Sequence, residues 1–115
     1  MSKRRVVVTG IGIVSPVGLT LEQNWENICN GVSGIGEITQ FDTEGYPCKI
    51  AGEVSDFDPA NYMPMKEARK MDRFIQLGMA ASLDAFADSG LQVTEENSER
   101  IGVHLGAGIG GINTI

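Results

Sequence analysis

Few side chains in this 115-residue sequence could carry covalent chemistry: two cysteines, Cys29 and Cys48, and one histidine, His104. A cysteine becomes a nucleophile when a basic neighbour or an adjacent base stabilises its thiolate. Cys29 has no such neighbour in the sequence and reads as a small buried hydrophobe. Cys48, beside Pro47 in a loop, offers no more. His104 stands between Val103 and Leu105 with no acidic or nucleophilic partner to name, which favours a satisfied core or interface histidine over a catalytic base. The cysteine spacing suits neither a zinc site nor a disulfide framework, and a reducing compartment follows.

Backbone amides are the next candidates. Gly106, Gly108 and Gly111 match G-x-G-x-x-G after a strand-like run, the pattern of a loop that cradles a pyrophosphate. The dinucleotide version wants that loop in the first strand-helix unit, with an acidic residue about 20 positions further on. Here only Ile112-Asn113-Thr114-Ile115 follow. The earlier loop, Gly10 and Gly12, has Ser15 where a third glycine belongs. Such glycines more generally mark close approach of the backbone to a ligand, a helix or a second subunit.

The strongest charge signal lies at Lys66, Arg69, Lys70 and Arg73. Spacing of i, i+3, i+4 and i+7 puts all four on one face if the segment is helical. Residues 66–73 carry four basic and two acidic side chains, against five and thirteen in the rest of a chain of net charge −6. A basic face on an acidic protein is ill suited to non-specific nucleic-acid binding but can steer a small, strongly acidic partner. On composition alone, a solvated helix end partly neutralised by Glu67 and Asp72 is the simpler reading.

These residues need elements to hold them. Lys66 to Gly90 reads as one organising stretch, a charged opening followed by a helix with no ionisable side chain from Phe74 to Leu83. Met71, Phe74, Ile75, Gly78, Met79, Ser82, Ala85 and Phe86 share a face expected to be buried. Gln76, Ala80, Leu83 and Ala87 on the other side suggest cover there too, and Asp88-Ser89-Gly90 supplies the stop. The uncharged run is about half of the ~20 residues a bilayer span requires. Upstream, Arg5–Thr9 is expected to be a strand buried on both faces. Thr20 and Gln23 form a capping box that opens a helix whose face is Leu21, Trp25, Ile28 and Cys29, ended by Asn30-Gly31. Residues 31–48 read as an acidic, turn-rich loop, Lys49–Val54 as a second strand, and Ile101–Leu105 as a third after an acidic turn. Alternating strands and helices indicate an α/β class. With 42% hydrophobic and 21% charged residues, the composition is that of one ordinary soluble domain at most. No signal peptide is evident after Met1-Ser2-Lys3-Arg4-Arg5.

Taken together, VVVTGIGIVSPVG (Val6–Gly18), FDT (Phe41–Thr43), KMDRF (Lys70–Phe74), DSGL (Asp88–Leu91) and TEENSERIGVHLGAGIGG (Thr94–Gly111) closely resemble the start of the β-ketoacyl-acyl carrier protein synthases. Within that family the nearest type is the elongating synthase II of fatty acid biosynthesis. The resemblance runs over the whole chain and rests on the order of the motifs, not on any one of them.

It implies a thiolase-like fold, in which two similar halves each form a mixed sheet sandwiched by helices in layers. Residues 1–115 would be an incomplete amino-terminal synthase domain, the first part of the first half. It also implies an acyltransferase that joins acyl groups to malonyl-acyl carrier protein by decarboxylative Claisen condensation, through one cysteine and two histidines. Cys29, Cys48 and His104 match none of these, so no catalytic residue is expected in this chain, and the 115 residues alone are expected to be inactive. Lys66, Arg69 and Lys70 match carrier-protein contacts, with Arg73 adjacent, which turns the balance toward docking. Gly108 and Ile109 match the acyl pocket, where Ile109 would gate chain length by its bulk. Ala107 stands where serine is commoner, which removes a hydroxyl without affecting the gate. The resemblance further implies a cytoplasmic homodimer that uses acyl- and malonyl-loaded carrier protein, with no cofactor or metal and no nucleic acid or membrane partner. A non-catalytic relative that keeps the docking face, and less so a nucleotide-binding module, are the alternatives.

Overall fold

The computed structural model describes residues 3–111. They divide into two compact units, Ile13–Asp58 and the remainder on either side of it.

In the first unit, helix α1 (Leu21–Cys29) starts where the capping pair predicts. Thr20 accepts from the Gln23 amide at 3.2 Å, while the Gln23 side chain takes the Leu19 amide at 2.8 Å, one residue earlier than in the usual box. At the other end Val32 N–H bonds Asn27 O and Gly31 N–H bonds Ile28 O, a Schellman closure with Gly31 at φ 68°. The expected apolar face is not buried: Trp25 is 68% exposed, and Ile28 and Cys29 are exposed as well. The helix instead buries Asn24, which is 2% exposed. Its amide donates to Gly18 O and Thr20 O, each at 2.8 Å, and its carbonyl accepts from the Ser15 hydroxyl. Asn27 donates to Val17 O. The tight turn Ser15–Gly18 leaves carbonyls that need donors, and these two asparagines supply them.

The rest of this unit is a hairpin of β1 (Ile35–Glu37) and β2 (Ile50–Gly52), antiparallel with Gly36 opposite Ala51. Strand β2 falls inside the predicted Lys49–Val54. Strand β1 lies in the stretch read as loop, a correction to that expectation. Glu53 stabilises the hairpin by accepting from the Thr39 hydroxyl at 2.8 Å and from the amides of Thr39 and Gln40.

The second unit is built on α3 (Arg73–Ser89), preceded by a single helical turn, α2 (Met65–Ala68), and a 3-10 turn at Pro59–Asn61. Gly90, at φ 63°, ends α3 as predicted. Gly10 and Gly12 lie against its back: a Cβ on Gly12 would sit 2.5 Å from Ala85 N, and one on Gly10 2.6 Å from Ser89 N. Asp88 accepts from the Ile11 amide at 2.8 Å. The close approach foreseen for these glycines is therefore to a helix. It is possible because α3 offers Ala81, Ala85 and Ser89 there.

The buried side of α3 differs from the expectation. Ala80 is fully buried, whereas Phe74, Ile75 and Phe86 on the apolar face remain 39%, 37% and 43% exposed. Small residues admit the neighbouring backbone, and the large ones have no covering layer among the described residues. Arg5–Thr9 and Ile101–Leu105 form no strands, and Val6, Val8 and Val103 are 88%, 81% and 85% exposed. Both runs have strand composition, but a strand exists only when another backbone pairs with it, and none does among the described residues. His104 is correspondingly exposed and outside any strand, which overturns the core half of its core-or-interface reading.

Candidate functional site

The four cations of residues 66–73 do not share a continuous helix. Lys66 is in α2, Arg69 caps its carboxyl end, Lys70 lies in the following turn, and Arg73 opens α3. The break occurs at Asp72, whose extended backbone (φ −64°, ψ 156°) redirects the chain, so that the cations decorate an elbow. All four are exposed. Lys70 pairs with Glu67 at 3.4 Å, both groups well solvated, so the pair neutralises charge but contributes little stability. Lys66 and Arg69 have no ion-pair partner among the described residues. The elbow thus keeps a net positive, solvent-facing surface.

What holds the elbow was not legible as a site. Gln76, in the first turns of α3, donates from its side-chain nitrogen to Ala68 O at 2.9 Å and Met71 O at 3.3 Å. Ala68 anchors α2 from below at 1% exposure, and Met63 beside it is 8% exposed. Tyr62 ties the preceding turn to α3 by donating to Asp84 at 3.1 Å. Burial first, and then the Asp84 carboxylate, raise its phenol above the ordinary tyrosine value.

The glycine loop lies elsewhere in the same unit. Gly108 is exposed and Ile109 is 77% exposed. Next to them, an apolar cavity of about 290 Å³ separates the Phe74, Ile75, Gly78 and Met79 side of α3 from Leu105–Ala107. Gly108 and Ile109 do not line it. Phe74 backs the loop, its ring 3.4 Å from where a Cβ on Gly110 would be, and Gly110 itself has φ 75°. Any helix after this loop, which a phosphate-cradling role requires, falls at residues 112–115, outside the described ones. Cys48 is exposed, as is Cys29, and no group of three or more His, Cys, Asp or Glu side chains suited to a metal ion occurs among the described residues. No helix there is long and apolar enough to cross a membrane.

A cationic elbow and an exposed glycine loop do not by themselves define a family, but comparison with known proteins does. The model of the β-ketoacyl synthase N-terminal domain matches residues 3–114. The chain belongs to the β-ketoacyl synthase family. It is 55% identical over all 115 residues to 3-oxoacyl-[acyl-carrier-protein] synthase 2 of Vibrio harveyi and 56% identical to that of Vibrio cholerae, spanning 28% of each. The enzyme of the same name from Staphylococcus aureus is 45% identical over 111 residues, 96% of this chain and 27% of the relative. Among solved structures, the ishigamide ketosynthase/chain length factor matches with a TM-score of 0.69 and 38% identity over 79% of this chain and 23% of its own. The α/β, thiolase-like class expected from the sequence is thereby borne out.

Proposed function

We propose that this chain is the amino-terminal part of an elongating β-ketoacyl-acyl carrier protein synthase of type II, an acyltransferase of fatty acid biosynthesis. The observation that carries this reading is the match across the whole chain to relatives of that name, which are much longer than it is. In the complete protein, a cysteine thiolate attacks the carrier-bound acyl thioester and releases the carrier thiol. Malonyl carrier protein then loses CO2, its carbanion forms the new carbon-carbon bond at the acyl carbonyl, and the cysteine leaves as thiolate. The present residues supply recognition and no covalent step: Cys29, Cys48 and His104 have no part in it.

Lys66, Arg69, Lys70 and Arg73 dock the acidic carrier protein, to which the exposed positive elbow is complementary. Ile109 gates the acyl pocket with Gly108 giving it room, which its solvent-exposed, glycine-flanked position supports. The complete protein works as a cytoplasmic homodimer. The deciding experiment incubates the full natural polypeptide with acyl- and malonyl-loaded carrier protein and follows CO2 release and 3-oxoacyl product. Condensation is expected, and none from the 115 residues alone. Carrier binding without condensation by the full polypeptide would identify a non-catalytic relative instead.

A further inference from the structure

The two carbonyls held by Gln76 bracket the cationic turn. Ala68 O lies just before Arg69, and Met71 O just after Lys70, so one side-chain amide fixes the entry and exit of the segment that carries both cations. The turn's own amides close it locally, Lys70 N–H to Glu67 O and Met71 N–H to Ala68 O, while the Gln76 side chain ties both of its ends to α3. Helix α2 is a single turn, too short to be stable by its own hydrogen bonds, so a tie to the 17-residue α3 holds it in place.

We propose that Gln76 is a positioning residue for carrier-protein recognition: its amide clamps the α2–α3 elbow and thereby sets the spacing of Lys66, Arg69, Lys70 and Arg73. The inference rests on the docking role proposed for those four residues. Gln76 is uncharged, so its removal alters the arrangement of the cations and leaves their number unchanged. Long-range attraction, and with it the association rate, should persist, while the docked complex loses its preorganised partner surface and dissociates faster.

The test uses the full natural polypeptide with Gln76→Met, which keeps length and volume but has no donor. Its KM for acyl-carrier protein should rise about tenfold, as loss of one to two hydrogen bonds would give. Turnover at saturation, and the kinetics with a carrier-free acyl thioester, should stay at the parent values. Binding of carrier protein to the immobilised enzyme should show the loss in dissociation rate. Gln76→Asn, one methylene short of the two carbonyls, should give the same split and serves if the methionine variant does not fold. An unchanged KM for the carrier-bound substrate, or an equal loss with both substrates, would overturn the proposal. Arg69→Glu separates the two levels. If it leaves carrier binding intact, the docking assignment itself is wrong; if it weakens binding and Gln76→Met does not, only the clamp is.

Discussion

At the scale of single residues, the closest packing in the described chain involves a missing methyl group. A Cβ on Gly12 would overlap the Ala81 carbonyl and lie 2.5 Å from Ala85 N, atoms of a helix backbone that cannot swing aside. Gly12→Ala should therefore destabilise the protein by about 3 kcal/mol, the upper range for overpacking. Gly36→Ala, with nothing within 4 Å of the added carbon, should stay within ~0.5 kcal/mol of the parent. Urea denaturation midpoints of the two variants check the contrast. Glu53 provides a second residue-scale prediction. The Thr39 hydroxyl, then the Thr39 and Gln40 amides, hold its carboxyl below the ordinary value of 4.5. Its folded-state pKa is the lower one, so its contribution is complete above pH 4.5 and is lost as pH falls through the folded-state value. The Thr39 amide proton should show an NMR titration step with a midpoint below 4.5, and Glu53→Gln should abolish that step.

At the scale of elements, helix ends decide where the candidate docking surface lies. Gly90 closes α3 in the left-handed region, at φ 63°. Gly90→Ala should cost about 1 kcal/mol, whereas Gly90→Asn, which tolerates that conformation, should lose less than half as much. Thermal midpoints of the full polypeptide give the comparison. This terminus, and both ends of α1, were legible because Thr20, Gln23, Gly31 and Gly90 act through local backbone chemistry. The elbow was not. Apolar and cationic periodicity runs unbroken through Asp72, and periodicity alone cannot register a junction held by Gln76 from the next helix. The residue type at Asp72, a common N-cap, was the available signal for a new helix start at Arg73. Strand β1 escaped because three residues, Ile35-Gly36-Glu37, carry too little alternation to stand out from a glycine-rich loop. The docking role proposed for Lys66, Arg69, Lys70 and Arg73, and the gate role proposed for Ile109, rest on family motifs alone. Without the resemblance, Lys66 to Arg73 would have stayed a solvated helix end, and Ile109 an apolar side chain in a loop.

At the scale of the whole molecule, the sequence reads as more sheet than the described residues form, for a physical reason. Val6, Val7 and Val8 are 88%, 70% and 81% exposed, and Val103 and Leu105 are 85% and 60% exposed. These are the β-branched and apolar runs of strands buried on both faces, and their composition satisfies only one requirement of a sheet, the other being a paired backbone. Left open, such segments offer unpaired amides and carbonyls beside apolar side chains, the combination that templates association with another chain. The exposed Phe74, Ile75 and Phe86 on α3 add to the apolar surface of the same unit. Placed in water as 115 residues, the chain should therefore associate with itself in a concentration-dependent way, despite a net charge of −6 that opposes aggregation. Sedimentation velocity over a hundredfold dilution series should show species larger than 12.3 kDa at all but the lowest concentrations. Replacing Val7 and Val103 together by lysine should shift that equilibrium toward monomer, because charges on an open edge disfavour pairing. A parent chain that remains monomeric throughout and melts in one cooperative transition would show that these runs find cover within the 115 residues, and the origin of their exposure would then have to be sought elsewhere.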